Sequence, residues 1–217
     1  IALTPMMNPS GEMMLKADED WLIEVTRDAG VNIVSDEVYL DASMGTEFYR
    51  PMYLRGENVI SANSLTKCYG LGPLRFGWAI GPAKMIHNVR NAFHNLQGMA
   101  SAPSMAIAEA AFPRLDEALD ALRAAREENL PKLIDVLAEN GIEWSPPPIG
   151  IYGLIPIETD AVQAMAEHGA PLGLLATPGG MFHRDLSNHL RIAWGGDAEA
   201  FEAAMPVLSQ FLKSIQD

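Results

Sequence analysis

The order of segments in the first forty residues constrains this chain most strongly. Ile1–Met6 is short and apolar and runs into Asn8-Pro9-Ser10-Gly11, where Pro and Gly both punctuate structure. Ala17–Asp28 follows, with Trp21, Leu22, Val25 and Ala29 at helical spacing and acids at its start, where the helix dipole favours negative charge. Gly30 stands as its C-terminal stop. Val31–Ser35 is a β-branched run, read as a buried strand, with Asp36, Glu37 and Tyr39 just past its end. Strand, helix, strand predicts a parallel crossover, because parallel neighbours need a long connection.

The rest of the chain extends the pattern and then changes texture. Val59-Ile60 begins a strand that leads into Ser64-Leu65-Thr66-Lys67, and Phe76–Ile80 is another. Pro82–Leu96, Ser104–Phe112 and Arg114–Asn140 read as helices; the last is long, with its acids on a solvated face and Gly141 at its end. Ile142–Ile157 alternates around Pro146-Pro147-Pro148 as a short strand pair. Asp160–Glu167 reads as a helix, Thr177-Pro178-Gly179-Gly180 as a loop, Leu190–Trp194 as a strand and Ala198–Ile215 as a closing helix. The expected class is α/β: a partial large domain over 1–130 with a mostly parallel sheet, and a small α+β domain over 131–217.

Charge narrows the partners. Fifteen basic against 28 acidic residues leave a net charge of −13, the wrong sign for nucleic acid or an anionic membrane surface. The longest uncharged run, Asn91–Ala108, contains Asn, Gln, Ser, Gly and Pro and would not cross a bilayer. No basic start followed by an apolar stretch marks a signal peptide, and a chain beginning at Ile1 is expected to be processed or part of something longer. The single cysteine, Cys68, excludes an internal disulfide, fits a reducing cytoplasmic setting, and reads as a small buried residue. His87, His94, His168, His183 and His189 show no metal-ligand spacing, so no metal is expected.

Open α/β sheets place ligands at the carboxyl ends of their strands. Polar residues recur at such places: Asn8, Asp36 with Tyr39, Ser64 with Lys67, and Arg75. Lys67, among small and hydroxyl residues in ISANSLTKCYGLG, is expected to be a partly desolvated amine. Desolvation lowers a lysine pKa and makes it a Schiff-base nucleophile. A carboxylate at a neighbouring strand end suits the ring nitrogen of lysine-bound pyridoxal phosphate. Ser64 and Arg75 suit its phosphate, by hydroxyl and by charge.

NPSG at 8–11, SDEVY at 35–39, SLTKCYGLGPLRFG at 64–77 and HLRIAWGG at 189–196 occur in that order. Together they resemble the class I/II aminotransferases, pyridoxal 5′-phosphate (PLP) enzymes of fold type I. Asn8 and Asp36 lie 28 positions apart and Lys67 and Arg75 eight, spacings that fit this family. The resemblance implies that Lys67 is the Schiff-base lysine and general base, and that Asp36 pairs with the pyridine nitrogen. It implies that Tyr39 and Asn8 hydrogen-bond the ring's 3-oxygen, that Ser64 and Arg75 bind the phosphate, and that Arg191 grips the substrate α-carboxylate. The implied activity is amino-group transfer between an α-amino acid and a 2-oxo acid, in a homodimer with active sites at the subunit interface.

The family's segment before the NPSG turn, with its glycine-containing phosphate loop and ring-stacking aromatic residue, has no counterpart here. The chain is therefore expected to be the C-terminal part of such an enzyme, lacking full activity by itself. A fold type I carbon–sulfur lyase fits the same residues. So does a non-enzymatic PLP-sensing effector domain, like the aminotransferase-like halves of GntR-family regulators. Met181 and Phe182, after the Gly-Gly loop, stand either as core filler or beside the substrate carboxylate.

Overall fold

A computed structural model describes residues 1–216 and divides the chain into two compact units. The first comprises Ile1–Met7 and Met13–Asp120; the second comprises Asn8–Glu12 and the chain from Ala121 onward. The division falls inside a continuous helix, α4 (Leu115–Glu139), whereas the change of sequence texture suggested 130.

In the first unit, β1 (Ala2–Leu3), β2 (Ile33–Asp36), β3 (Val59–Ser64) and β4 (Gly77–Ile80) form one sheet in sequence order. β1 and β2 run parallel, joined by α1 (Lys16–Asp28), which is the expected crossover. β2 and β3 are also parallel and β4 is antiparallel to β3. β1 is only two residues long because Thr4 and Pro5 leave the ladder; Pro has no N–H to donate to it. Asp36 pairs with Ala62 and Ser64 with Gly77, so the carboxyl ends of β2 and β3 meet the amino end of β4.

The buried face of α1 differs from the one its apolar residues suggested. Trp21 is 64% and Val25 42% exposed, while Glu19, Ile23 and Thr26 are buried. Glu19 can sit inside because Arg50 and Arg55 pair with it; a buried carboxylate is tolerated when charge and hydrogen bonds satisfy it. β2 is likewise half-buried rather than buried throughout. Ile33 and Ser35 point inward and Val34 outward, as the two-residue period of a pleated strand requires. Ile33 packs with Ile23, Met52 and Val59 as the apolar core of this face. α2 (Ala83–Leu96) and α3 (Ala102–Ala111) follow β4, and Ser101 Oγ caps α3 by accepting from Ser104 N–H. Phe112 then meets Phe76 and Trp78 at ring-centroid separations of 6.1 and 5.4 Å.

In the second unit β5 (Tyr152–Pro156), β6 (Thr177–Pro178) and β7 (His189–Ala193) form an antiparallel sheet with β7 central. Two expectations fail here. Ile142–Trp144 makes no strand with β5; the prolines that follow lack N–H donors, and β5 pairs with β7 instead. Thr177 and Pro178 are a short edge strand rather than loop, with Pro at the edge where its missing donor costs nothing. α5 (Ala161–Ala164) starts at Asp160, whose carboxylate accepts from Val162 and Gln163 N–H. α6 (Ala198–Ser214) starts at Asp197, which accepts from Ala200 N–H. Leu133, Leu137, Ile155, Leu190, Trp194, Leu208 and Phe211 make the core, and every acid of α4 is exposed. Among the described residues no helix is long and apolar enough to cross a membrane.

Candidate active site

Five of the sequence-predicted residues lie at one end of the first unit's sheet. Asp36 closes β2 and is exposed; its Oδ1 accepts from Val38 N–H at 3.2 Å and turns the chain. Tyr39, three residues after Asp36, is buried. Ser64 closes β3, and its Oγ accepts from Thr66 N–H at 3.3 Å. Lys67 follows, with Nζ 5.6 Å from the centroid of the Tyr39 ring. Arg75 lies just before β4, two residues ahead of the Gly77 that pairs with Ser64. Its φ of +51° makes it the one non-glycine with positive φ among the described residues. That conformation costs an L-residue about 1–2 kcal/mol, and such strain tends to be kept where function needs the side chain's direction.

Lys67 is exposed, not partly desolvated as its small neighbours suggested. Leu65, Cys68 and Tyr69 take the buried positions of the loop and leave the lysine outside. Cys68 is buried as expected, its Sγ 3.4 Å from Val38 O, and burial pushes its thiol up to about 12, so it is unreactive near neutrality. Asp36, Lys67 and Arg75 form no ion pair among the described residues. A carboxylate, an amine and a guanidinium outside any ion pair, with a hydroxyl at the same sheet end, fit the needs of PLP: a ring nitrogen, an aldehyde and a phosphate.

The other two predicted residues belong to the second unit. Arg191 sits on the central strand β7, opposite Leu154 of β5 and Thr177 of β6. Its guanidinium carbon lies 4.0 Å from the centroid of the Tyr152 ring, and its buried Nε has no hydrogen-bond partner. Tyr152 is fully buried and diagonal to Arg191 across the strand pair, so ring and guanidinium share a face. Asn8 is exposed at the start of its turn. Gly11, at the turn's end, has φ +77°, and a Cβ there would stand 2.6 Å from Tyr152 O and 2.8 Å from Pro147 Cγ. Met181 is exposed and Phe182 partly so, which excludes core filler at both.

Sequence reasoning missed Tyr152 and a buried polar cluster under the Lys67 loop. Asp41 Oδ2 accepts from Asn63 Nδ2 at 2.8 Å and from the Tyr69 hydroxyl at 2.6 Å. Glu37 Oε1 accepts from Met52 N–H at 2.9 Å and the Ser61 hydroxyl at 2.6 Å. Burial raises both carboxyl pKa values, partly offset by these donors. Burial, with hydrogen bonding to Asp41, holds the Tyr69 hydroxyl protonated far above its ordinary range. No periodicity joins Asp41 to Tyr69; the parallel pairing of β2 with β3 brings their segments together.

Residues 1–208 match the family model "Aminotransferase class I and II". An arginine–pyruvate transaminase of Pseudomonas aeruginosa is 28% identical over 94% of this chain and 53% of its own length. A histidinol-phosphate aminotransferase of Methylobacillus flagellatus is 29% identical over 95% and 54%. The chain thus spans about half the length of the curated relatives it matches. A crystal structure of a PLP-dependent aminotransferase from Streptococcus suis superposes with a TM-score of 0.87, covering 100% of this chain and 58% of that one. At 24% identity that likeness is one of fold.

Proposed function

The chain belongs to the class I and II aminotransferases, and from that premise we propose that it carries cofactor-anchoring and carboxylate-binding residues of an enzyme that moves an amino group between an α-amino acid and a 2-oxo acid. The cofactor is pyridoxal 5′-phosphate, which supplies an electron sink for the bond broken at the amino acid's α-carbon. Lys67 Nζ anchors it and carries the proton to and from that α-carbon. Asp36 accepts from the ring nitrogen's N–H and keeps that nitrogen protonated. Tyr39 and Asn8 donate to the ring's 3-oxygen. Ser64 and Arg75 bind the phosphate, Arg75 by charge-assisted donors. Arg191 holds the α-carboxylate through two parallel N–H···O bonds, a task suited to its planar fork.

The observation that carries this function is the gathering of Asp36, Tyr39, Ser64, Lys67 and Arg75 at one sheet end, with Lys67 Nζ 5.6 Å from the Tyr39 ring centroid. The test is incubation with PLP, desalting, absorbance, borohydride reduction and peptide mapping. A retained band with label on Lys67, lost in Lys67→Ala, is expected. An amino-donor panel with a 2-oxo acid then reads transfer in the whole protein. Label confined to other lysines refutes the site, and ammonia release without an oxo acid refutes transfer in favour of a lyase. A homodimer in a reducing cytoplasm is the assembly and setting such an enzyme is expected to adopt; sedimentation showing a monomer of the whole protein would refute the former.

A further inference from the structure

Asp41 is buried, yet it has no role in the chemistry assigned above. Tyr49 hydrogen-bonds its carboxylate from outside the loop, and two further donors straddle Lys67: Asn63 comes four residues before it and Tyr69 two after. One carboxylate oxygen, Oδ2, therefore fastens both stems of the loop. Asn63 passes the constraint on, because its Oδ1 accepts from Ser64 N–H at 2.7 Å. Between the stems, Gly70 N–H reaches Lys67 O at 3.3 Å and Leu71 N–H reaches Leu65 O at 2.9 Å. Leu65 N–H in turn reaches Phe76 O at 3.1 Å, beside Arg75. A buried carboxylate costs solvation that an apolar side chain of similar size would not. Stability alone therefore does not account for an acid at this position.

We propose that Asp41 is a positioning residue: through Asn63 and Tyr69 it fixes the loop that presents Ser64 and Lys67. What the loop is fixed for rests on the function proposed above; that it is fixed by Asp41 does not.

The experiment compares four variants of the whole protein by amide hydrogen exchange and by borohydride-trapped PLP labelling. Asp41→Ala removes the acceptor, Tyr69→Phe removes one donor, and Asp41→Asn keeps an oxygen that accepts from both. Ile23→Val loosens the core of the same unit without touching the loop. Exchange at Leu65, Gly70 and Leu71 is expected to speed by on the order of tenfold in Asp41→Ala, less in Tyr69→Phe, and little in Asp41→Asn. Lys67 labelling is expected to slow in the same order. Ile23→Val should raise exchange across the unit with no excess in the loop. Asp41→Ala behaving like Ile23→Val would overturn the proposal. If Asp41→Ala does not fold, Tyr69→Phe decides it by the same loop-specific excess. Wild-type protein that takes no label on Lys67 would defeat the proposed function and leave the exchange comparison to judge Asp41.

Discussion

Gly11→Ala is expected to destabilise the second unit by about 2–5 kcal/mol, from two separable causes. The first is backbone: Gly11 has φ +77°, in the left-handed region, which costs an L-residue about 1–2 kcal/mol. The second is steric. The new methyl would stand 2.6 Å from Tyr152 O and 2.8 Å from Pro147 Cγ, and neither a carbonyl nor a proline ring turns aside. Forcing such a shift costs about 1–3 kcal/mol. Gly141→Ala is the matched control: φ is +75° in the same unit, with nothing within 4 Å of the added Cβ, so it carries only the first cost. Urea unfolding separates them, read from the near-ultraviolet signal of the Trp144–Trp194 pair, whose ring centroids are 5.8 Å apart. With a urea slope of about 1–3 kcal/mol per M, Gly11→Ala should lower the midpoint by roughly 1–2 M and Gly141→Ala by about half that. Moving the Tyr152 backbone also moves the ring against Arg191, so Gly11→Ala should weaken carboxylate binding where Gly141→Ala does not. Equal midpoints for the two variants would refute the steric half of the argument.

Three further outcomes are expected. Arg191→Lys keeps the charge but would lose the two-point carboxylate grip proposed for Arg191, and should raise the dissociation constant for a monocarboxylate substrate analogue by roughly 10–100-fold in titration; an unchanged value would remove Arg191 from the site. Glu19→Ala leaves Arg50 and Arg55 without their buried partner and should cost about 3–5 kcal/mol in chemical denaturation; a loss below about 1 kcal/mol would mean that water replaces the carboxylate freely. Glu37 is pushed above its ordinary 4.5 by burial, so the native state binds its proton more readily than the unfolded chain. Its contribution to stability is full below that value and lost as pH rises through the raised one. Glu37→Gln should therefore gain on wild type as pH rises from about 4.5, and a pH-independent difference in melting temperature would refute this.

The local frame was legible because it depends on neighbours in sequence. β-branched runs extend, helices start at Asp160 and Asp197 where a carboxylate can cap them, and the acids of α4 face water. Asn8, Asp36, Tyr39, Ser64, Lys67, Arg75 and Arg191 could be proposed as site candidates for the same reason: each lies in a short motif at the end of a run or within a strand. Burial was less legible. Glu19 and Asp41 look like surface acids until Arg50, Arg55, Asn63 and Tyr69 are brought to them, and Trp21 looks like core until the sheet takes Ile23 instead.

By itself, the sequence determined the α/β order of elements, the crossover that makes β1 and β2 parallel, and which polar residues stand at strand ends. Those follow from periodicity, turn chemistry and chain direction, all properties of residues near one another along the chain. Only the tertiary structure decided that Tyr152 lies under Arg191, that Gly11 abuts Tyr152, and that Asp41 ties both stems of the Lys67 loop. These contacts join residues tens of positions apart. They are selected by sheet register and by the cost of burying an unpaired charge, neither of which a local pattern encodes.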